Sequence, residues 1–500
     1  APILYLSMLR SLVQTAIEDT CTRYAVKLSE IQTKLQPHQQ RVVDRLQQSD
    51  QPGLVVIHGL GSGKTLSSIA AQDALGLDAT TVVPAALQAN YQKEQLKHTG
   101  ANSGKLMSMQ NAAVKGEIPK SDMLIVDEAH RARDPGSKTF RALAQSGAKK
   151  RMLLTGSPFY NRPSDISALI DLAANDRVLP LDENEFNARY ITDQPVKPGF
   201  VGSLMGVKPG TTPVLNKRNA GELQSIFKKW TDYHPGSTDN FPNVREEDVR
   251  VPMTPDQLRV YDTLMKKAPS WVSYKVKHNL PPSKQEAGDL NAFLMGTRQV
   301  SNTTQPFSAE GPVYQPKIDA AYGNLKKFLD ENPESKGVVY SNFLGAGINP
   351  YKKLLDADKV PYGEFTGAMS QPARNDLVNQ YNAGKLRALL LSSAGGEGLD
   401  LKGTRIMQIL DPHWNNEKLR QVQGRGARYM SHAGLPEDQQ NLLIQKYLST
   451  RPASGPLEKL RLATPGTSVD EYLANLAKDK DALNNQFKAL LQAENANQAS

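Results

Sequence analysis

The chain has 500 residues, 39% of them hydrophobic and 22% charged, with a net charge of +9 and a pI near 9.2. That length exceeds one ordinary core and suggests about two to four domains, and the composition is that of a soluble globular chain rather than a disordered or fibrous one. The lone cysteine, Cys21, excludes an internal disulfide framework and a zinc–thiolate cluster and fits a reducing compartment, while no apolar run reaches transmembrane length.

The opening APILYLSML lacks the basic leader of a secretory signal, its first charge falling at Arg10, so an intracellular protein is expected. The chain begins at Ala1, as a processed product or a segment of something longer would. Apolar residues at Leu6, Leu9, Leu12, Val13 and Ile17 predict a helical segment over Ala1 to Lys34. LQPHQQRVVDRL follows. Its Gln39 carries an amide that can donate and accept at once, which suits an adenine edge.

The most informative stretch is LVVIHGLGSGKT, Leu54 to Thr65. Leu54 to Ile57 reads as a buried strand, and the run after Lys64 reads as a helix. Between them Gly59, Gly61, Ser62 and Gly63 form a loop whose backbone N–H groups can approach phosphate oxygens. Lys64 would meet the β- and γ-phosphates, and the Thr65 hydroxyl would ligate Mg²⁺. His58 stands where the strict phosphate-loop pattern has its first glycine.

Further strands are expected at Thr80–Val83, Met123–Val126 and Arg151–Leu154. The second of these runs into Asp127-Glu128-Ala129-His130. An acidic pair at the end of a buried strand is costly unless its charge is used. Asp127 suits Mg²⁺, and Glu128 suits activation of the water that attacks a γ-phosphate. Thr155-Gly156-Ser157-Pro158 is a tight turn whose hydroxyls could sense that phosphate. Beyond it, Pro180 to Asp248 is rich in Pro, Gly, Asn and charged residues, with loop-like stretches such as YHPGSTDNFPN.

Lys266, Lys267, Lys275, Lys277, His278 and Lys284 make a basic patch with Trp271 and Tyr274 interleaved. It fits either a nucleic-acid track or a solvated helix face. Pro282 to Gln315 reads as a poorly structured connector. The βα pattern then resumes, with strands expected at Gly337–Ser341, Ala388–Ser392 and Arg405–Leu410, a glycine-rich SAGGEGLDL, and QVQGRGAR from Gln421 to Arg428. Arg425 and Arg428 lie about one helical turn apart and suit neutralisation of charge in a phosphoryl transition state.

GLGSGKT, LIVDEAHRARD, MLLTGSPFYN and QVQGRGARYMSHAGLP, in this order, resemble motifs I, II, III and VI of superfamily 2 helicases, with the Swi/Snf-type DNA translocase branch most similar. The SH after the last motif and the late TSVDEYLANLAKDKDALNNQFKALL resemble viral members such as poxviral nucleoside triphosphatase I. The resemblance implies an α/β fold of two tandem RecA-like lobes, parallel sheets covered by helices, with ATP in the inter-lobe cleft. It implies lobe one over 35–248, a connector and the start of lobe two over 249–316, the rest of lobe two over 317–491 and a polar tail over 492–500.

It also implies ATP and Mg²⁺ as ligands. Gln39, Gly61, Ser62, Gly63, Lys64, Thr65, Asp127 and Gly398 would lie at the nucleotide, with Thr65 and Asp127 at the metal. Glu128, Lys64, Arg425 and Arg428 would carry catalysis. His130, Thr155, Ser157 and Gln421 would couple the nucleotide to motion, and Pro84, Asn342, Ser393 and Gly395 would touch nucleic acid. The expected partner is duplex DNA, alongside viral or phage proteins, in a bacterial cytoplasm or carried by a phage or virus. An RNA-directed helicase or transcription-release ATPase, and an ATP-gated clamp without stepping, remain open. No wedge for strand separation stands out in either lobe.

Overall fold

The computed structural model describes residues 33–48, 50–236, 239, 241–392, 399–413, 416–427 and 430–496. The helix expected over Ala1 to Lys34 therefore falls outside the described residues except at its last two positions. The chain divides into two compact units. The first runs to Tyr190 and adds Asn216–Ser237 and the residues from Phe487; the second holds Ile191–Leu215 and Thr238–Gln486.

The first unit is a six-stranded parallel sheet. Its strands are β1 (Gly53–His58), β2 (Ala79–Val83), β3 (Lys105–Ser108), β4 (Met123–Val126) and β5 (Lys150–Thr155), and β8 (Thr231–His234) completes it, in the order β3-β2-β4-β5-β1-β8. The central strands are apolar on both faces, as a sheet covered on both sides requires. Leu54 and Val56 of β1, Met123 and Ile125 of β4 and Met152 and Leu154 of β5 form one core face with Val42, Val43 and Leu46 of the helix Pro37–Gln48. β5 lies between β4 and β1, with Ile57 beside Thr155 and Val126 beside Leu153. That order brings the loop after β1, the acid pair after β4 and the turn after β5 to neighbouring strand ends.

Between Tyr190 and Asn216 the chain forms an antiparallel hairpin, β6 (Ile191–Val196) and β7 (Gly210–Leu215), which groups with the second unit. It lies in the stretch expected to be rich in loop-like segments. Both strands contain proline, Pro195 and Pro213, tolerated because a two-stranded ribbon consists of edges only.

The second unit holds another six-stranded parallel sheet, ordered β11-β12-β10-β13-β14-β9. Its strands are β9 (Asn243–Pro252), β10 (Lys336–Ser341), β11 (Tyr362–Phe365), β12 (Ala388–Ser392), β13 (Thr404–Ile409) and β14 (Asn441–Thr450). Alternate residues bury on opposite faces: Val338, Leu389, Leu391 and Met407 on one, Val339, Leu390 and Ile406 on the other. β9 pairs with β14 along its whole length, from Asn243 beside Asn441 to Pro252 beside Thr450. This pairing draws residues 243–248 into the second sheet, although they were expected in lobe one.

The segment Pro282 to Gln315 is not the unstructured connector expected. It contains the helix Leu290–Asn302, whose Leu290, Leu294 and Val300 join Tyr261, Val272, Val276 and Tyr472 in a core. The C-terminal helix runs from Val469 to Ala496, beyond the expected start of the tail. No helix among the described residues is long and apolar enough to cross a membrane.

Candidate ATP-hydrolysis site

The loop after β1 turns on Gly61 (φ 73°) and Gly63 (φ 70°), both in the left-handed region that side chains disfavour. Gly63 is further constrained, because a Cβ there would lie 2.5 Å from Gln39 Nε2. The helix Lys64–Leu75 starts directly at this glycine, and no side chain among the described residues caps it. Its first N–H groups and its dipole therefore face the loop, the arrangement that favours phosphate.

Gln39 is buried and holds the loop. Its Nε2 donates to Ser62 O at 3.0 Å and Gly63 O at 3.3 Å, and its Oε1 accepts from Gln36 N at 2.9 Å. Both amide donors are thus spent on the loop, which leaves one lone pair of Oε1 for an adenine amine. Ser62 is buried, with its hydroxyl on Gly59 O at 2.7 Å. Lys64 Nζ donates to His58 O at 3.0 Å.

His58 is an anchor and not part of the glycine turn. Its Nε2 lies 2.8 Å from Asp232 Oδ1, and Arg41 grips the same carboxylate through two bonds of 2.8 Å each. Burial pushes the Asp232 carboxyl up, but Arg41 and His58 hold it well below the usual carboxylate range. His38 stacks on His234 with centroids 3.9 Å apart, and His38 Nε2 lies 2.8 Å from Ser62 O. This cluster ties β8 and the helix Pro37–Gln48 to the phosphate loop. The sequence reading missed it because Asp232 lies in a four-residue strand within a loop-rich stretch.

Asp127 and Glu128 follow β4 directly. Asp127 is buried, and its Oδ1 accepts from Glu128 N at 2.9 Å. Burial, and then the Glu128 charge, push its carboxyl up to about 6, against the pull of Lys64. Glu128 itself has φ 52°, a strained left-handed conformation for a side-chain-bearing residue. His130 Nδ1 lies 3.1 Å from Thr155 Oγ1 and 3.3 Å from Glu128 Oε2. Burial holds this imidazole down at about 4 despite Glu128, so it is neutral at pH 7. Thr155 Oγ1 in turn accepts from Ser157 N at 3.0 Å, and Tyr160 stacks on His130 beneath the Arg133 guanidinium. A continuous polar chain therefore joins Glu128, His130, Thr155 and Ser157.

Among the described residues no group of three or more His, Cys, Asp or Glu side chains could hold a metal alone. Thr65 and Asp127 offer oxygen donors only, which suits Mg²⁺ carried in with nucleotide phosphates.

In the second unit, Gln421 and the backbone of Arg425 lie on the helix Asn416–Gly426, and Gln421 is half-buried. Arg428, Gly398, Ser393 and Gly395 lie outside the described residues. Two expected nucleic-acid contacts are committed elsewhere. Pro84 is buried after β2. Asn342 donates through Nδ2 to Asp411, and its Oδ1 accepts from Tyr340 Oη at 3.2 Å. The basic patch is also partly internal: Lys275 is fully buried on Glu286 at 2.6 Å, and Lys284 pairs with Asp193 at 2.6 Å. Lys266, Lys267, Lys277 and His278 remain exposed.

Comparison with known proteins gives three domain matches: an AAA domain over residues 34–162, an SNF2-related domain over 105–306 and a helicase conserved C-terminal domain over 320–430. A putative ATP-dependent RNA helicase of Acanthamoeba polyphaga mimivirus is 27% identical over 473 residues, covering 91% of this chain and 96% of the relative. A termination factor NPH-I homolog of African swine fever virus is 23% identical, covering 88% of this chain and 75% of the relative. Among solved structures, the Sulfolobus solfataricus SWI2/SNF2 ATPase core in complex with dsDNA aligns over 92% of this chain and 97% of its own, at 15% identity and a TM-score of 0.36. A phosphate loop and an acid pair at neighbouring strand ends thus accompany matches to an SNF2-related domain and a helicase C-terminal domain in that order, and the chain is similar to the SNF2-related helicase-like ATPases, viral proteins among them.

Proposed function

We propose that the chain is a double-stranded DNA translocase driven by ATP. The observation that carries the motor reading is the Glu128–His130–Thr155–Ser157 chain, which links the hydrolytic acid to the turn on the neighbouring strand. In this reading the loop Gly61 to Gly63 and Lys64 bind the triphosphate, and Gln39 fixes the loop with one lone pair left for adenine. Thr65 and Asp127 would hold Mg²⁺, which would supply charge neutralisation at the phosphates. Glu128 takes the proton of the attacking water, and His130 reports the state of Glu128 to Thr155 and Ser157. Arg425 and Arg428 supply the arginine charge that stabilises the transferring phosphoryl group, with Gly398 at the nucleotide and Gln421 in the coupling set. Ser393 and Gly395 are assigned to nucleic-acid contact by the motif resemblance. The units of the fold serve as the two lobes.

The SNF2-related domain and the net charge of +9 support a duplex track held through phosphates. A second reading, an RNA-directed or transcription-release ATPase, is favoured by the names of the mimivirus and African swine fever virus relatives. Displacement of a triplex-forming strand separates the readings and also separates stepping from clamping. A duplex translocase strips the third strand in an ATP-dependent manner. Retention of that strand, together with ATP turnover stimulated by RNA alone, would refute the duplex reading.

A further inference from the structure

The tip of the β6–β7 hairpin presents large apolar side chains to solvent. Its helical turn Gly199–Leu204 and the next residue expose Phe200 by 84%, Val201 by 61%, Leu204 by 79% and Met205 by 60%. Four large apolar side chains in one short segment are costly to leave in water. The opposite side of the turn is docked. Gly202 packs on Tyr274, and a Cβ there would lie 2.6 Å from the Tyr274 hydroxyl. Tyr274 Oη also donates to Pro198 O at 2.9 Å. Lower in the hairpin, Asp193 pairs with Lys284, and Leu215 N donates to Gln486 at 2.7 Å. The apolar face is therefore presented from a fixed support.

Its surroundings select the occupant. Residues 196–210 read VKPGFVGSLMGVKPG, two VKPG copies around the apolar core, with two lysines and no acid. Lys197 and Lys208 are exposed, and neither is in an ion pair among the described residues. Apolar faces between two cations match nucleic-acid bases between phosphates. An intact duplex hides its base faces, so such a tip gains most where stacking is interrupted.

We propose that this tip is a junction contact, with Phe200, Val201, Leu204 and Met205 stacking on the base pair exposed where a duplex opens and Lys197 and Lys208 on the flanking phosphates. The proposal rests on the reading that nucleic acid is the track. It gives Tyr274 the role of a positioning residue.

The test compares the full chain on two DNAs: a forked duplex carrying 2-aminopurine at the junction, and a dumbbell duplex closed at both ends. The wild type should prefer the fork by about 10-fold and change the 2-aminopurine fluorescence. Phe200→Ser/Leu204→Ser, exposed positions whose replacement leaves the thermal melt in place, should bind both DNAs alike with no fluorescence change. A wild type without fork preference, or a variant that keeps it, overturns the proposal. So does a variant that loses only flotation with phosphatidylserine vesicles, since the occupant would then be a membrane surface. ATP turnover is measured alongside. If no nucleic acid stimulates the wild type, the motor reading fails; if duplex DNA stimulates both proteins and both prefer the fork equally, the hairpin proposal alone fails.

Discussion

The two parallel sheets end differently. In the first unit, Asp127 follows β4 and accepts one hydrogen bond among the described residues, from Glu128 N at 2.9 Å, with its carboxyl raised to about 6. In the second unit, Asp411 follows β13 and accepts four: from Ser341 Oγ, from Asn342 N at 2.9 Å, from Asn342 Nδ2 and from Asn302 Nδ2 at 3.1 Å. Both carboxylates are buried at strand ends. Among the described residues the first has a single donor and is the more open of the two, and the second is saturated and serves to fix the loop after β10. Sheets of the same kind thus end in an open acid or in a brace, according to how many donors already surround the carboxylate.

Breaking the open end should have the largest effect. Lys64→Ala removes the charge that meets the phosphates, and turnover should fall by about 10³-fold or more with the circular dichroism spectrum unchanged. A variant that still turns over ATP would remove Lys64 from the site. Glu128→Gln should keep nucleotide binding, measured by calorimetry, and lower turnover by about 10²-fold. Near-normal rates would assign the base to another group.

The brace beneath the loop gives a smaller effect. Asp232→Ala strands His58 and Arg41 and should cost the first unit about 3 kcal/mol in chemical denaturation. Unchanged stability would mean the cluster contributes nothing net. At neutral pH the smallest effect comes from His130, whose contribution shows only in acid. The His130 imidazole titrates at about 4 in the fold and near 6.5 in the unfolded chain. The unfolded state takes up the proton first, so stability falls as pH drops from about 6.5 to 4, by up to about 1.4 kcal/mol per unit. His130→Asn should make that fall shallower; an unchanged slope would contradict it.

Much of the first unit's site was legible because parallel strands buried on both faces leave continuous apolar runs. MLIV of β4 and ALLLS of β12 could be bounded from sequence alone. The glycines and acids were legible because they directly follow such runs. What escaped depends on tertiary pairing. TDYH of β8 is too short to show a period, yet it supplies Asp232 to His58. β6 and β7 each contain proline and read as loop. Lys275 looked like surface charge until Glu286, eleven residues on, covered it. Asn342 looked free for nucleic acid, and only the fold brings Asp411 to it.

The most direct test of the account is steady-state ATP turnover by the full chain with duplex DNA, single-stranded DNA and RNA, each at low and high salt. The account predicts strong stimulation by duplex DNA, little sequence preference, and an apparent affinity that falls steeply with salt as counterion release requires. A rate that is the same with and without every nucleic acid would contradict it.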